Sequence, residues 1–82
     1  MGAIFSDYAE RLEKLEIINA EEARELLNTV LELHSTGMGK VMQVLRVVLT
    51  GEGGGPDLML VIEILGPKEC SLRILRAIEH LG

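Results

Sequence analysis

Lys40, Gln43, Arg46 and Thr50 recur at steps of three, three and four, so on a helix they share one polar seam. Two cations and two neutral hydrogen-bonding groups in a row suit a ligand that offers both charge and polar edges. The seam leads into Gly51-Glu52-Gly53-Gly54-Gly55-Pro56. That loop is no P-loop, because no Lys-Ser or Lys-Thr follows its last glycine. Nor does it fit a dinucleotide fold, since no clear strand precedes it and Glu52 would repel a phosphate. Residues without side chains do let a ligand approach the backbone, where peptide groups can read the edge of a base. The remaining reactive types point away from catalysis. Cys70, His34 and His80 are too few and too scattered for a zinc site and read as a half-buried thiol and two surface histidines. Ser6, Ser35 and Ser71 show no accompanying base and orienting acid. The residues favour holding a ligand over transforming one.

Helical periodicity places these groups. A first helix runs from about Ser6, with Tyr8, Leu12 and Leu15 at helical spacing. A second starts at Asn19, where Asn19 and Glu22 have capping-box spacing. Ala23, Leu27, Val30 and Leu31 form its apolar stripe, widened by Leu26 and Leu33, and Ser35-Thr36-Gly37 ends it. The third, from about Lys40 to Leu49, is apolar on three sides and therefore predicts a central helix packed by several neighbours. Leu58–Leu65 has a length and a β-branched pair, Val61-Ile62, that leave helix and strand open. With no second strand candidate to pair with, helix is favoured. Pro67 suits the first turn of a last helix to about Leu81. Its polar stripe is Glu69, Arg73, Arg76 and His80, with Leu72, Leu75 and Ile78 inward. The expectation is an all-α fold, a small bundle or cage of four to five helices, with residues 1–82 as a single domain.

Composition bounds the partners. The net charge of −5 argues against a general nucleic-acid binder, yet residues 37–82 hold five acids and five bases. Phosphate contact would fall to that half and be weak. A single cysteine fits a reducing compartment, no apolar run approaches the ~20 residues that would span a bilayer, and Asp7, Glu10 and Glu13 interrupt any leader-like stretch. The cytoplasm is the expected address.

The run from Gly37 to Gly51 (GMGKVMQVLRVVLTG), followed by Gly55-Pro56-Asp57-Leu58 and Ile64-Leu65-Gly66, resembles the C-terminal anticodon-binding end of bacterial-type, class I glutamyl-tRNA synthetases. That family shows Gly-Lys, then Met-Gln-Pro-Leu-Arg, Leu-Thr-Gly, a short loop, Gly-Pro and an apolar helix. It closes with Leu-Gly-Lys-Glu and an arginine-bearing helix. The likeness covers about residues 19–82, and before Gly37 it lies in pattern only. It implies an α-helical cage that grips a glutamate-specific tRNA at its anticodon loop. Arg46 then stands where the family's arginine contacts an anticodon base. Pro56 and Leu58 match residues that pack around such bases, Gly55 the place of another base-touching residue, and Lys40 a phosphate or packing lysine. Gln43 and Thr50 share the seam.

Val44 replaces the family's common proline, and Pro67 stands as an insertion between Gly66 and Lys68. The chain has no His-Ile-Gly-His element and no Lys-Met-Ser-Lys loop. The resemblance therefore implies a non-catalytic module that needs no cofactor of its own and whose other partner is the rest of a synthetase, with weak self-association through exposed apolar surface. The competing expectation is a helical protein–protein interaction domain in which the apolar residues 58–65 and the acidic second helix dock against a partner or a second copy.

Overall fold

A computed structural model describes residues 2–51, 55 and 57–81, and only the backbone of Leu81. Five α-helices follow one another: α1 (Gly2–Glu13), α2 (Ala20–Leu33), α3 (Met38–Thr50), α4 (Leu58–Leu65) and α5 (Pro67–Leu81). Among the described residues there is no strand. Leu58–Leu65 is thus helical. Asp57 caps it, accepting from the Met59 amide at 2.8 Å.

α1 starts ahead of the expected Ser6, because Ile4 and Phe5 continue the stripe formed by Tyr8, Ala9 and Leu12, all buried. Leu15 falls beyond its end and packs partly buried on the core. α2 opens with the expected capping box: the Asn19 side chain accepts from the Glu22 amide and Glu22 reaches back to the Asn19 amide. A third acceptor comes from α4, where Glu63 Oε1 takes the Ala20 N–H at 2.8 Å. Carboxylates at this end also oppose the positive pole of the helix.

α2 closes on Ser35 at φ 51°, a left-handed conformation normally given to glycine. The Thr36 amide donates to the Leu31 carbonyl and the Ser35 amide to that of Glu32. These are the two bonds of a Schellman turn. A side chain in this conformation costs about 1–2 kcal/mol, and glycine would relieve that strain while raising the entropy of the unfolded chain, which cancels part of the gain. Ser35→Gly is therefore expected to stabilise the fold by about 0.5–1 kcal/mol, a rise of roughly 2–8 °C in thermal midpoint. An unchanged or lower midpoint in thermal unfolding would contradict that account.

The helix at the centre is not the expected one. α5 packs against α1 along the most extensive interface and also meets α3 and α4, whereas α3 makes its main contact with α5. α3 buries only Val41, Leu45 and Leu49, one stripe at steps of four. Met42, Val44 and Val48 are partly buried, and Val47 is 52% exposed. Apolarity all round is thus no measure of centrality. The α1–α5 pair closes where small residues, Ala9 and Ser71, meet, since axial distance follows the side chains at the crossing. Ser71 Oγ donates to the Ala9 carbonyl at 2.8 Å, which requires the two backbones to approach closely.

The inward face of α5 is accordingly Cys70, Ser71 and Ile74, with Leu75 and Ile78 partly buried, while Leu72 is 44% exposed and points away from the core expected of it. The Cys70 thiol is fully buried rather than half-buried, and burial pushes it up to about 11. Tyr8 is buried with its hydroxyl donating to the Ala23 carbonyl at 3.0 Å, tying α1 to α2. Burial, and secondarily the neighbouring Cys70, hold its phenol far above the ordinary value. At the other end of the α1–α2 pair Asp7 accepts from Arg11 Nε at 2.7 Å and from His34 Nε2 at 3.1 Å. Those two hydrogen bonds lower its pKa. His34 is thus a tether between helices rather than a free surface histidine.

Candidate nucleic-acid interface

α3 begins at Gly37, which offers no side-chain cap, and ends at Gly51, whose φ of 78° only glycine adopts without strain. Between these ends the helix buries Val41, Leu45 and Leu49 and turns Lys40 and Gln43 to solvent. Arg46 and Thr50 lie half-buried at the loop end of the same seam. Thr50 Oγ1 donates back to the Arg46 carbonyl at 2.7 Å, which fixes the hydroxyl on the last turn. The structure therefore brings Lys40, Gln43, Arg46 and Thr50 together as one strip along α3, grading from wet to partly sheltered. The strip carries two cations and no acid.

The loop end is different in kind. Gly51 closes α3 through its amide, which donates to the Val47 carbonyl at 2.8 Å. Gly55 is exposed with φ 125°, and a Cβ built there would meet nothing within 4 Å. Its backbone is open to a ligand, and its conformation bars a side chain. Residues 52–54 and Pro56 lie outside the described residues, so the place expected of Pro56 lies outside them too.

Leu58 requires a correction. Its side chain is 1% exposed and belongs to the core. It sits at the first position of α4, where the helix turns its first residues inward. An aliphatic platform for a base, as the resemblance implied, is therefore not offered by this side chain. Leu60 and Ile64, 46% and 82% exposed, carry the apolar surface of α4 instead.

Two residues with structural claims on this end were named in the sequence but given no role at the site. Arg73 of α5 donates through Nη1 to the Leu49 carbonyl at 2.7 Å, capping α3 from a neighbouring helix. Its Nε is held by Glu69 Oε2 at 2.8 Å. The i,i+4 spacing of Glu69 and Arg73 was a legible signal for the pair, whereas the reach to Leu49 was not. Asp57 stands near Arg24, with 3.7 Å between Oδ2 and the guanidinium, linking the start of α4 to α2.

A groove of about 310 Å³ is lined by Leu15, Ile18, Glu22, Glu25, Leu26 and Thr29. It includes no residue of α3, and its two carboxylates disfavour a phosphate. Among the described residues no group of three or more His, Cys, Asp or Glu side chains could hold a metal ion. Among them, too, no helix is long and apolar enough to cross a membrane.

An all-α domain with a cationic strip along α3 that ends at Gly51 is compatible with several partners, and comparison with known proteins narrows them. The anticodon binding domain family matches residues 2–78. The chain belongs to that family. Glutamate–tRNA ligase of Cytophaga hutchinsonii is 48% identical over 64 residues, covering 78% of this chain and 12% of that protein. The enzyme of the same name from Francisella philomiragia is 36% identical over 83 residues, covering 98% of this chain and 18% of its own length. Glutamate–tRNA ligase 1 of Wolinella succinogenes is 35% identical over 80 residues, covering 95% and 17%. This anticodon-binding domain thus spans less than a fifth of the curated relatives it matches. No solved structure matches it. The family match extends the likeness through α1, which the sequence motifs did not reach.

Proposed function

We propose that this anticodon-binding domain reads the anticodon loop of a glutamate-specific tRNA on behalf of a cytoplasmic glutamyl-tRNA synthetase. The parent enzyme joins glutamate to tRNA with ATP, and this segment contributes recognition without catalysis or a cofactor. The observation that carries the reading is the acid-free strip Lys40-Gln43-Arg46-Thr50 ending at the Gly51 bend, on a member of this family.

The physics fits loop recognition better than duplex binding. Sequence-specific RNA readers engage splayed bases by stacking and by edge hydrogen bonds. Tyr8 and Phe5 are the only aromatics and both are buried, so stacking falls to the guanidinium plane of Arg46. Lys40, exposed and upstream, supplies sequence-independent attraction for phosphate. Gly55 leaves peptide groups within reach of a base. With a net charge of −5 the domain holds RNA weakly by itself, and discrimination rather than affinity is its contribution.

Titrating the chain with an RNA stem-loop carrying a glutamate anticodon, and with one in which an anticodon base is changed, tests this at two salt concentrations. The expected result is tighter binding of the first, weakening for both as salt rises. Equal binding of the two, or none at low salt, would remove the reading. The exposed Ile17, Leu60 and Ile64 are what a protein-docking role would use, and self-association without RNA binding in the same titration would favour it.

A further inference from the structure

The Arg73 guanidinium joins the helix at the centre of the fold to the end of the helix that bears the seam. Leu49 lies in the last turn of α3, where carbonyls have no intrahelical donor. Its side chain is 2% exposed, while its carbonyl oxygen receives Arg73 Nη1 at 2.7 Å. A cation also belongs there, at the negative pole of α3. Glu69 fixes the rotation of the guanidinium by taking its Nε proton, so the fork points at α3 in one orientation.

The packing of α3 is confined to one stripe. Its first turn has no side-chain cap, its main packing partner is α5, and only three of its side chains are fully buried. Arg46, Thr50 and the left-handed Gly51 all fall within three residues of Leu49. Anything that fixes the Leu49 carbonyl fixes the height and rotation of that turn.

We propose that Arg73 is a positioning residue for RNA recognition: it pins the last turn of α3 so that Arg46, Thr50 and Gly51 keep a fixed place relative to the rest of the fold. The proposal rests on the anticodon-reading function above. Recognition sites lose selectivity when their supporting groups let them drift by more than about 0.5 Å. Arg73 itself acts through α3 rather than on the RNA.

Two measurements test it on the full chain, with circular dichroism confirming the fold of each variant. The first needs no RNA. Hydrogen exchange at the Gly51 amide, whose bond to the Val47 carbonyl closes α3, is expected to quicken about fivefold or more in Arg73→Ala, with an intermediate value in Arg73→Lys. An unchanged rate overturns the proposal, and if Arg73→Ala fails to fold then Arg73→Lys decides. The second is the ratio of affinities for the matched and altered anticodon stem-loops. Arg73→Ala should lower it about fivefold, and Arg46→Ala/Arg73→Ala should be no worse than Arg46→Ala. A ratio equal to wild type, or effects that multiply, overturns the proposal. If the wild-type chain itself shows no discrimination, it is the functional reading that has failed, and the proposal falls with it.

Discussion

Tyr8→Ala is expected to destabilise the domain by about 3–5 kcal/mol, the range for emptying a buried aromatic site. An 82-residue chain has a total stability of only about 4–12 kcal/mol, so much of the population should unfold near room temperature. Tyr8 has no exposed surface, stands on the most extensive helix pair, and sends its hydroxyl to the Ala23 carbonyl of α2. Its loss therefore loosens α1 from α2 and α5 together. Tyr8→Phe separates the hydrogen bond from the packing and should cost about 0.5–1.5 kcal/mol. Urea titration followed by circular dichroism measures both, and a Tyr8→Phe loss as large as that of Tyr8→Ala would show the hydroxyl, not the ring, to be decisive.

The same residue predicts a pH dependence. Burial raises the folded pKa of Tyr8 above the ordinary phenol value of 10.0. A group whose folded pKa is raised contributes stability that is complete below the unfolded value and lost as pH climbs above it. Cys70 has the same sign, pushed up by burial to about 11 in the fold against an ordinary thiol value of 9.0. Stability should thus decline from about pH 9 upward, first through Cys70 and above about pH 10 through Tyr8 as well. In Tyr8→Phe the second part of that decline should vanish, which thermal midpoints measured across the alkaline range would reveal.

Arg46→Ala is expected to cost about 1–3 kcal/mol of binding to the matched anticodon stem-loop, by analogy with base readout by arginine, or roughly 5- to 150-fold in affinity. The loss should be much smaller for a stem-loop with an altered anticodon, because only the matched base uses the guanidinium. Arg46→Lys keeps the charge and gives up the planar fork. It should preserve the salt dependence while losing most of the discrimination. Lys40→Ala should do the reverse, weakening both RNAs alike and flattening the salt slope. Identical affinities for Arg46→Ala and the wild-type chain would dissociate the seam from RNA binding altogether.

The elements most legible in the sequence are those determined by neighbours a few residues apart. The Asn19–Glu22 capping box, the stop after Leu33, the helix starting at Pro67 and the α3 seam all depend on groups within one or two turns, and spacing alone specifies them. The glycine at 51 likewise marks the end of α3 in the sequence, and there the backbone turns to positive φ.

What needed the tertiary structure was the partner of each face. Leu58 and Leu60 are the same residue type two positions apart, yet one is core and the other surface, because α4 meets α2 and α5 on one side only. α3 is apolar on three sides and still peripheral, whereas the more polar α5 is central, since small residues at Ala9, Cys70 and Ser71 let that pair close. Arg73 shares its own turn with Glu69 in sequence, but its bond to Leu49 crosses 24 residues. Local hydrogen bonds and periodicity are short-range properties of the chain. Which faces meet is set by the competition of all of them for the same few neighbours, and only the assembled fold resolves it.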